Sequence, residues 1–433
     1  LIPPTRLAVI GGGWAGIAAA VSACQQGAQV TLIEMAGQLG GRARSLATGE
    51  TPPFAQLDNG QHILIGAYSQ SLALMQALGV DLGQAFLRTP LRLRYPRHEG
   101  LQLPAGAPLT SFARGVLAYR NWPLLARLRL LAAAGGWLLR GFHCPPTWTV
   151  QGLTAGLPEC VRQDLIEPLC VAALNTPAAQ ASAQTFLRVL HDALFSGPGS
   201  ADLLLPRLPL SELLATPAQN WLQARKTDVR LSQRVQQLSR SGSGWLVDKE
   251  YFDQLILACS AVEAARLCAD IQPAWAAQAA QLRYEPIITV YLHSPGSTLP
   301  APMLALQEGP LAPAQFAFDL GQLGQQGERS GAFAFVISGA AAWVDKGLAA
   351  TGEQVLAQAL RELDWASPPR IQRVLAEKRA TFACTPGLQR PPREIAPGLQ
   401  AAGDYVQGPY PATLEGAVRA GMAAARQALK KPG

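Results

Sequence analysis

The sequence predicts an α/β protein in which a Rossmann-like nucleotide-binding domain carries an inserted α+β domain, a mixed sheet with a helical cap. Three observations predict it. Leu7 to Glu34 reads as strand, glycine turn, helix and second strand. Phe252 to Ala258 has the composition of a central strand returning to that sheet, and Leu399 to Asp404 followed by a helix supplies a last piece. Between these pieces lie apolar helices and strands that alternate or run apolar, as a second, mostly antiparallel sheet would.

Leu7-Ala8-Val9-Ile10 is the first strand. Gly11, Gly13 and Gly16 form G-x-G-x-x-G ahead of a helical stretch from Trp14 to Gln26, and Gly27 stands where a helix stops. Gly11 permits the tight turn, Gly13 lets backbone N–H groups approach a pyrophosphate, and Gly16 lets the helix pack on the strand. The helix N-terminus turns its partial positive charge toward the phosphates. Val30-Thr31-Leu32-Ile33 is the second strand, and Glu34 at its end is placed to accept from ribose hydroxyls. The glycine motif alone is weak. The strand before it, the helix after it and the acid beyond together predict a dinucleotide site.

Leu39-Gly40-Gly41-Arg42-Ala43-Arg44-Ser45 is a second glycine element, in which Arg42 or Arg44 can neutralise phosphate charge. Asp58-Asn59-Gly60-Gln61-His62 is a turn before Ile63-Leu64-Ile65, and Ala67 to Leu78 reads as a helix stopped at Gly79. His62 has an ordinary pKa of about 6.5 that suits proton transfer, while a lone histidine is more often a hydrogen-bonded structural one. From Gly100 to Pro158 there is no Asp or Glu, yet five arginines (114, 120, 127, 129 and 140) stand among large apolar residues. The longest uncharged apolar piece, Leu130 to Leu139, is too short to span a bilayer. The region reads as a basic helix pair with aromatics at its ends, lying in a membrane headgroup layer, or as a cap with solvated arginines; the two are compatible.

Asp164 to Thr176 and Ala181 to Leu194 are helical and apolar on one side. Their Glu167, Arg188, His191 and Asp192 are pocket candidates, and by default paired or solvated surface groups. A short helix is expected near Ser211. Val229 to Leu238, with Val235 toward the nucleotide, and Trp245-Leu246-Val247 read as strands. Ile287 to Leu292, Gln315 to Leu320 and Ala332 to Ile337 form the second sheet, and Glu353 to Leu363 an amphipathic helix. Near the end a strand closes on Gly403-Asp404, and Thr413-Leu414-Glu415-Gly416-Ala417 opens a helix to about Leu429. Asp404 is placed to accept from a cofactor hydroxyl, and the helix start to offer N–H groups to a negative atom.

Hydrophobic residues make up 49% and charged residues 15%, which excludes bulk disorder and provides a sizeable core. The net charge of +7 suits a phosphate-bearing cofactor or an anionic surface, and without basic runs interleaved with aromatics nucleic acid is not expected. Seven widely spaced cysteines without C-x-x-C, and five histidines without H-x-x-H, disfavour a disulfide framework or a metal site and suit a reducing cytoplasm. The uncharged run from Arg6 to Glu34 is long enough to span a bilayer. Its glycines and the Gln25-Gln26 break favour a buried βαβ unit over a span or a signal peptide.

Several stretches together carry a resemblance: both glycine elements, Asp58 to Tyr68 (DNGQHILIGAY), Leu169 to Pro177 (LCVAALNTP), the Ala181-to-Phe195 helix, Asp202 to Leu210 and the closing Gly-Asp with its helix. On these the chain resembles the amine-oxidase/phytoene-desaturase superfamily of FAD proteins. Within it the likeness is to the squalene-associated group, the hydroxysqualene dehydroxylases of bacterial hopanoid pathways. The resemblance implies an FAD-binding domain built from 1–66, 215–280 and 385–433, a substrate domain with helical cap at 67–214, and its sheet at 281–384. It implies FAD held by Gly11, Gly13, Gly16, Glu34, Gly41, Arg42, Val235, Gly403 and Asp404, with N–H groups of Gly416 and Ala417 at the flavin N1/O2 end. It implies reductive conversion of an apolar isoprenoid, hydroxysqualene, to squalene. The chain shows no second dinucleotide fingerprint, so an external reductant for the flavin is expected. His62 first and Glu167 second are the expected proton donors. Peripheral contact through 112–142 would put the protein on the inner face of the cytoplasmic membrane. An oxidative polyene desaturase or amine oxidase, and a flavin-fold lipid-binding protein without turnover, are the alternatives.

Overall fold

Strand Arg6–Ile10 lies inside a six-stranded sheet, and a computed structural model describes the molecule over residues 3–324 and 329–430. The outermost residues of the first and last expected segments, 1–2 and 431–433, lie outside that range. The strand order is Glu394–Ala396, Leu399–Ala401, Gln254–Leu257, Arg6–Ile10, Gln29–Ile33, Asp228–Arg230. All pairings are parallel except that of the first two strands. A parallel sheet is covered on both faces, which is why Leu7–Ile10, Val30–Ile33 and Leu255–Leu257 are uninterrupted buried runs. Three stretches far apart in the chain thus build one sheet.

Helices Trp14–Gln25 and Leu414–Ala428 pack against each other, the first rich in buried alanine. Their backbones meet closely at Gly421, where a methyl group would strike the Ala15 carbonyl oxygen. In the same way a methyl on Gly16 would strike the Gly11 carbonyl, so Gly16 fixes how the helix leaves the first strand.

The expected strand Val229 to Leu238 is not continuous. Only Asp228–Arg230 joins the sheet. At Ser232 the chain takes φ +55° and turns over the end of the neighbouring strand, Ser232 N–H donating to Ala36 O and Gln233 N–H to Glu34 O. The polar run Ser232-Gln233-Arg234 has no apolar face to bury, which is why the strand stops. A three-stranded antiparallel meander follows, Leu238–Ser241, Gly244–Val247 and Glu250–Phe252.

The second sheet is antiparallel throughout, in the order Met303–Ala305, Phe316–Asp319, Ala332–Ile337, Tyr284–His293, Arg370–Phe382. Its period of two separates the faces. Ile288, Val290 and Leu292 join Val355 and Ala359 of helix Leu348–Glu362 in one core, while Tyr291, Phe316 and Phe318 belong to the other.

The cap contains helices Pro108–Ala118, Leu124–Leu139, Glu167–Leu174 and Ala183–Phe195. The expected helix Asp164 to Thr176 is entered through a π-helical turn, Arg162–Ile166, and ends at Asn175, whose φ is +48°. The aromatics expected at the ends of a membrane face are instead inside. Phe112, Trp122, Trp137 and Phe142 are buried, and Trp122 Nε1 donates to Asp164 Oδ2 at 2.9 Å. An indole N–H taken from water needs such an acceptor, and here it ties the cap to the helix below. Leucines form the outer face: Leu117, Leu124, Leu125, Leu128, Leu138 and Leu139 are exposed. Among the described residues no helix is long and apolar enough to cross a membrane.

Glycine inside a helix costs about 1 kcal/mol relative to alanine, so Gly421→Ala would stabilise an isolated helix. The Ala15 contact reverses that sign, since overpacking costs about 1–3 kcal/mol. Gly421→Ala is expected to lower the thermal midpoint by several degrees in scanning calorimetry; an unchanged or higher midpoint contradicts the close packing.

Candidate functional site

A cavity of about 640 Å³ runs from the glycine turns, past the start of helix Leu414–Ala428, to the second sheet. At its nucleotide end the two glycine elements are docked together. Gly40 N–H donates to Gly12 O at 2.8 Å, and a methyl on Gly41 would come within 2.9 Å of the Gly13 Cα. Glu34 is buried there. Its Oε2 accepts from Gly12 N–H at 2.6 Å and its Oε1 from Ala36 N–H at 2.8 Å. Each carboxylate oxygen keeps a second lone pair, available to ribose hydroxyls. Val235 completes this end from the loop beyond Asp228–Arg230, its carbonyl held by Arg266 Nη2 at 2.6 Å.

In the middle, Arg42 Nη2 pairs with Asp404 Oδ1 at 2.7 Å, and Arg42 Nη1 donates to Ala380 O at 2.6 Å. Burial alone would lower the guanidinium pKa, but the Asp404 carboxylate more than offsets it and the pKa is raised. Arg42 therefore stays charged, and it joins the second glycine element to the C-terminal part of the chain. Tyr405, next to Asp404 in the chain, is buried, and its hydroxyl has no partner among the described residues. Burial, with Cys259 and other neighbours adding to it, holds that phenol well above its ordinary pKa, so it remains protonated and able to donate.

These features fit FAD. Backbone glycines that a side chain would block, a carboxylate at one end and an unpaired buried donor midway suit an extended dinucleotide. The helix start corrects one expectation. Gly416 does not line the cavity, and its N–H is taken by the Thr413 side chain at 3.1 Å; Ala417 N–H donates to Thr413 O. A capped helix offers its first-turn N–H groups outward, and these belong to Leu414 and Glu415, which both line the cavity. Gly16 likewise touches no cavity space and acts through packing alone.

The far end is apolar, walled by Ile63, Ile65, Leu169, Phe186, Phe316 and Phe318. His62 stands at this wall, its Nδ1 lying 2.8 Å from Gly60 O. A carbonyl only accepts, so Nδ1 carries the proton and the neutral ring presents Nε2 as an acceptor. Withdrawal from water is the main influence on His62 and lowers its pKa. Glu167 is not at the cavity. It is exposed, and its helix contributes Leu169, Ala172 and Ala173 to the wall instead. A donor to a substrate in a dry chamber must line that chamber, so Glu167 is removed from the candidates.

Arg188, His191 and Asp192 are paired, as expected of surface groups. Asp192 accepts from Arg188 Nε at 3.0 Å and lies 2.8 Å from His191 Nδ1. Asp192 also lines the cavity, with Tyr410, whose hydroxyl accepts from Arg188 Nη2 at 3.3 Å. The sequence reading missed Tyr405, Tyr410 and Thr289. The first two follow Gly403-Asp404 within the Tyr/Pro loop, and Thr289 stands, with Tyr291, as a hydroxyl residue in an apolar strand run, which were the available signals.

Glu34→Arg is expected to give a folded but largely colourless protein, because the longer cation fills the space of the ribose and loses both N–H partners. The wild-type protein is expected to release all its flavin on denaturation, since no cysteine lies between Gly403 and Gly433 to attach it. Absorbance near the flavin band in the supernatant and the precipitate checks both.

A family model described as flavin containing amine oxidoreductase matches residues 14–429. A hydroxysqualene dehydroxylase of Sinorhizobium fredii is 28% identical, covering 99% of each chain. One of Rhodopseudomonas palustris is also 28% identical, covering 96% of each. An oxidoreductase from Methanosarcina mazei shares the fold, with a TM-score of 0.72 at 15% identity over 96% of this chain and 99% of its own. With the cofactor cradle and the fold in agreement, the chain belongs to the flavin containing amine oxidoreductase family and is an FAD-dependent oxidoreductase.

Proposed function

We propose that this oxidoreductase reductively removes the hydroxyl group of hydroxysqualene, giving squalene and water. The observation that carries the reading is the cavity itself, which joins a dinucleotide cradle to a chamber walled by Ile63, Leu169, Phe186, Phe316 and Phe318. That wall suits an isoprenoid. The names of the relatives, matched over nearly their full length, support the same substrate.

An allylic carbon–oxygen bond breaks readily once its oxygen is protonated or strongly hydrogen-bonded, and the carbon then takes a hydride. Reduced FAD is the group that supplies the hydride, and an external reductant restores it. The protein's part is to exclude water, hold the alcohol and manage the proton. His62 is the proposed acid: with Nδ1 committed to Gly60 O, protonation places a second N–H on Nε2, the nitrogen left to a substrate. Its active form is the protonated one, and its pKa lies below the ordinary histidine value. Turnover should therefore fall as pH rises through that lowered pKa.

His62→Ala is expected to keep flavin, lose about 10²-fold or more in turnover, and lose this acid limb. Full activity with an unchanged pH profile excludes His62. For the reaction as a whole, the dithionite-reduced protein should convert hydroxysqualene to squalene without oxygen. Products bearing added double bonds, formed only in air, would favour a polyene desaturase.

We also propose that the protein works peripherally at the inner face of the cytoplasmic membrane. Exposed Leu124, Leu125, Leu128 and Leu139 lie beside exposed Arg114, Arg120, Arg129 and Arg140, in a stretch without acids. Arg127 is half-buried, and its Nη1 donates to Leu117 O. Each basic residue near an anionic surface contributes about 1 kcal/mol. In flotation, binding to anionic vesicles that weakens with salt is expected, and Leu124→Asp with Leu139→Asp should release the protein. Equal binding to neutral vesicles, or none to either, contradicts the surface.

A further inference from the structure

We infer that Thr289 holds the carbinol oxygen of the substrate, through a hydroxyl group that the fold leaves without a partner. This rests on the reading that the substrate is an alcohol. Thr289 sits in strand Tyr284–His293 and pairs with Val336 on one side and Leu375 on the other, all three lining the cavity. It is 1% exposed, and its Oγ1 has no hydrogen-bond partner among the described residues. Two residues along the same strand, the buried Tyr291 hydroxyl donates to Asp58 O at 2.9 Å. The fold thus satisfies the Tyr291 hydroxyl in this strand and leaves the Thr289 hydroxyl unpaired.

An unpaired buried hydroxyl destabilises a protein, and valine has the same shape without that penalty. A threonine here gains its meaning from a ligand. Its surroundings narrow the ligand: Phe316, Phe318 and Val336 make this part of the wall apolar, with Ser338 and Glu377 two positions further along the flanking strands, so the hydroxyl suits an oxygen on a largely apolar molecule. Thr289 Oγ1 and His62 Cε1 also flank the same point. A Cβ built on Gly60 would stand 3.7 Å from the first and 3.9 Å from the second. Gly60 has φ +90°, so glycine is favoured there and the space stays open. An oxygen lodged beside Gly60 meets the threonine hydroxyl as donor, with the imidazole ring also within reach. A site that hydrogen-bonds a substrate hydroxyl rejects the analogue lacking it, because the protein group is then left unpaired. Thr289 is accordingly a substrate-binding residue that discriminates hydroxysqualene from its own product.

The test compares wild type, Thr289→Val and Thr289→Ser as oxidised holoenzymes, in which no turnover occurs. Binding of hydroxysqualene and of squalene is read from perturbation of the flavin spectrum, and ligand-free thermal midpoints are measured alongside. Wild type should prefer hydroxysqualene. Thr289→Val should bind it about tenfold more weakly while binding squalene unchanged, with a midpoint equal to or above wild type. Thr289→Ser should restore most of the preference. If Thr289→Val keeps the full preference for the alcohol, the assignment of Thr289 is overturned while the alcohol reading stands. A lower midpoint with both ligands weakened alike shows a structural role and overturns it too. No preference in the wild type overturns the alcohol reading, and this assignment with it.

Discussion

The contact between two glycine turns organises this molecule. Gly40 N–H reaches Gly12 O, and Gly41 lies so close to Gly13 that a side chain at Gly41 would displace the first turn. This contact sets the second turn beside the first sheet, and with it Arg42. Arg42 in turn holds Asp404, at the end of the strand Leu399–Ala401, and two carbonyls of strand Arg370–Phe382 in the second sheet. One guanidinium therefore bridges the nucleotide sheet, the substrate sheet and the segment leading into the last helix. The cavity exists because these three parts are held at that distance.

Most of the nucleotide end was legible because its chemistry is local. A strand that must turn sharply needs Gly11, and a strand end facing ribose hydroxyls needs an acid such as Glu34. Val235 was legible as a wall residue although its strand was not, because the chain stays near the sheet edge even after Ser232 turns it away. Gly416 was misjudged for a reason sequence seldom shows: the side chain of Thr413 takes the N–H that would otherwise face a ligand. Glu167 failed differently. Its helix has two apolar faces, Cys170, Val171 and Leu174 in the core and Leu169, Ala172 and Ala173 toward the cavity. Periodicity finds such faces without saying which one is hollow. The cap aromatics failed in the same way, with hydrophobic residues both inside and outside.

Ionisation was the least legible property. His62 was identifiable as a histidine in a turn near the cofactor motifs. Its tautomer depends on the Gly60 carbonyl, and its lowered pKa on withdrawal from water, both of them tertiary facts. The same holds for Tyr405, whose protonation follows from burial alone in the first instance. The cavity thus holds a histidine and a phenol whose burial disfavours their charged forms, the histidine at the hydrocarbon wall itself.

The six-stranded sheet draws on stretches at the beginning, middle and end of the chain, and helix Trp14–Gln25 finds its main helical packing partner in Leu414–Ala428. Such long-range pairing is slow to form, because loop closure must precede the contacts that reward it. During synthesis the first strand can pair early with Gln29–Ile33 and gains Gln254–Leu257 midway, while the helix face that meets Leu414–Ala428 waits uncovered until nearly all of the described sequence has left the ribosome. The inserted region can collapse on itself before then, as one long excursion between two waiting edges. Cofactor capture is therefore a late event in biogenesis, and the newborn chain depends on protection from aggregation for most of its translation.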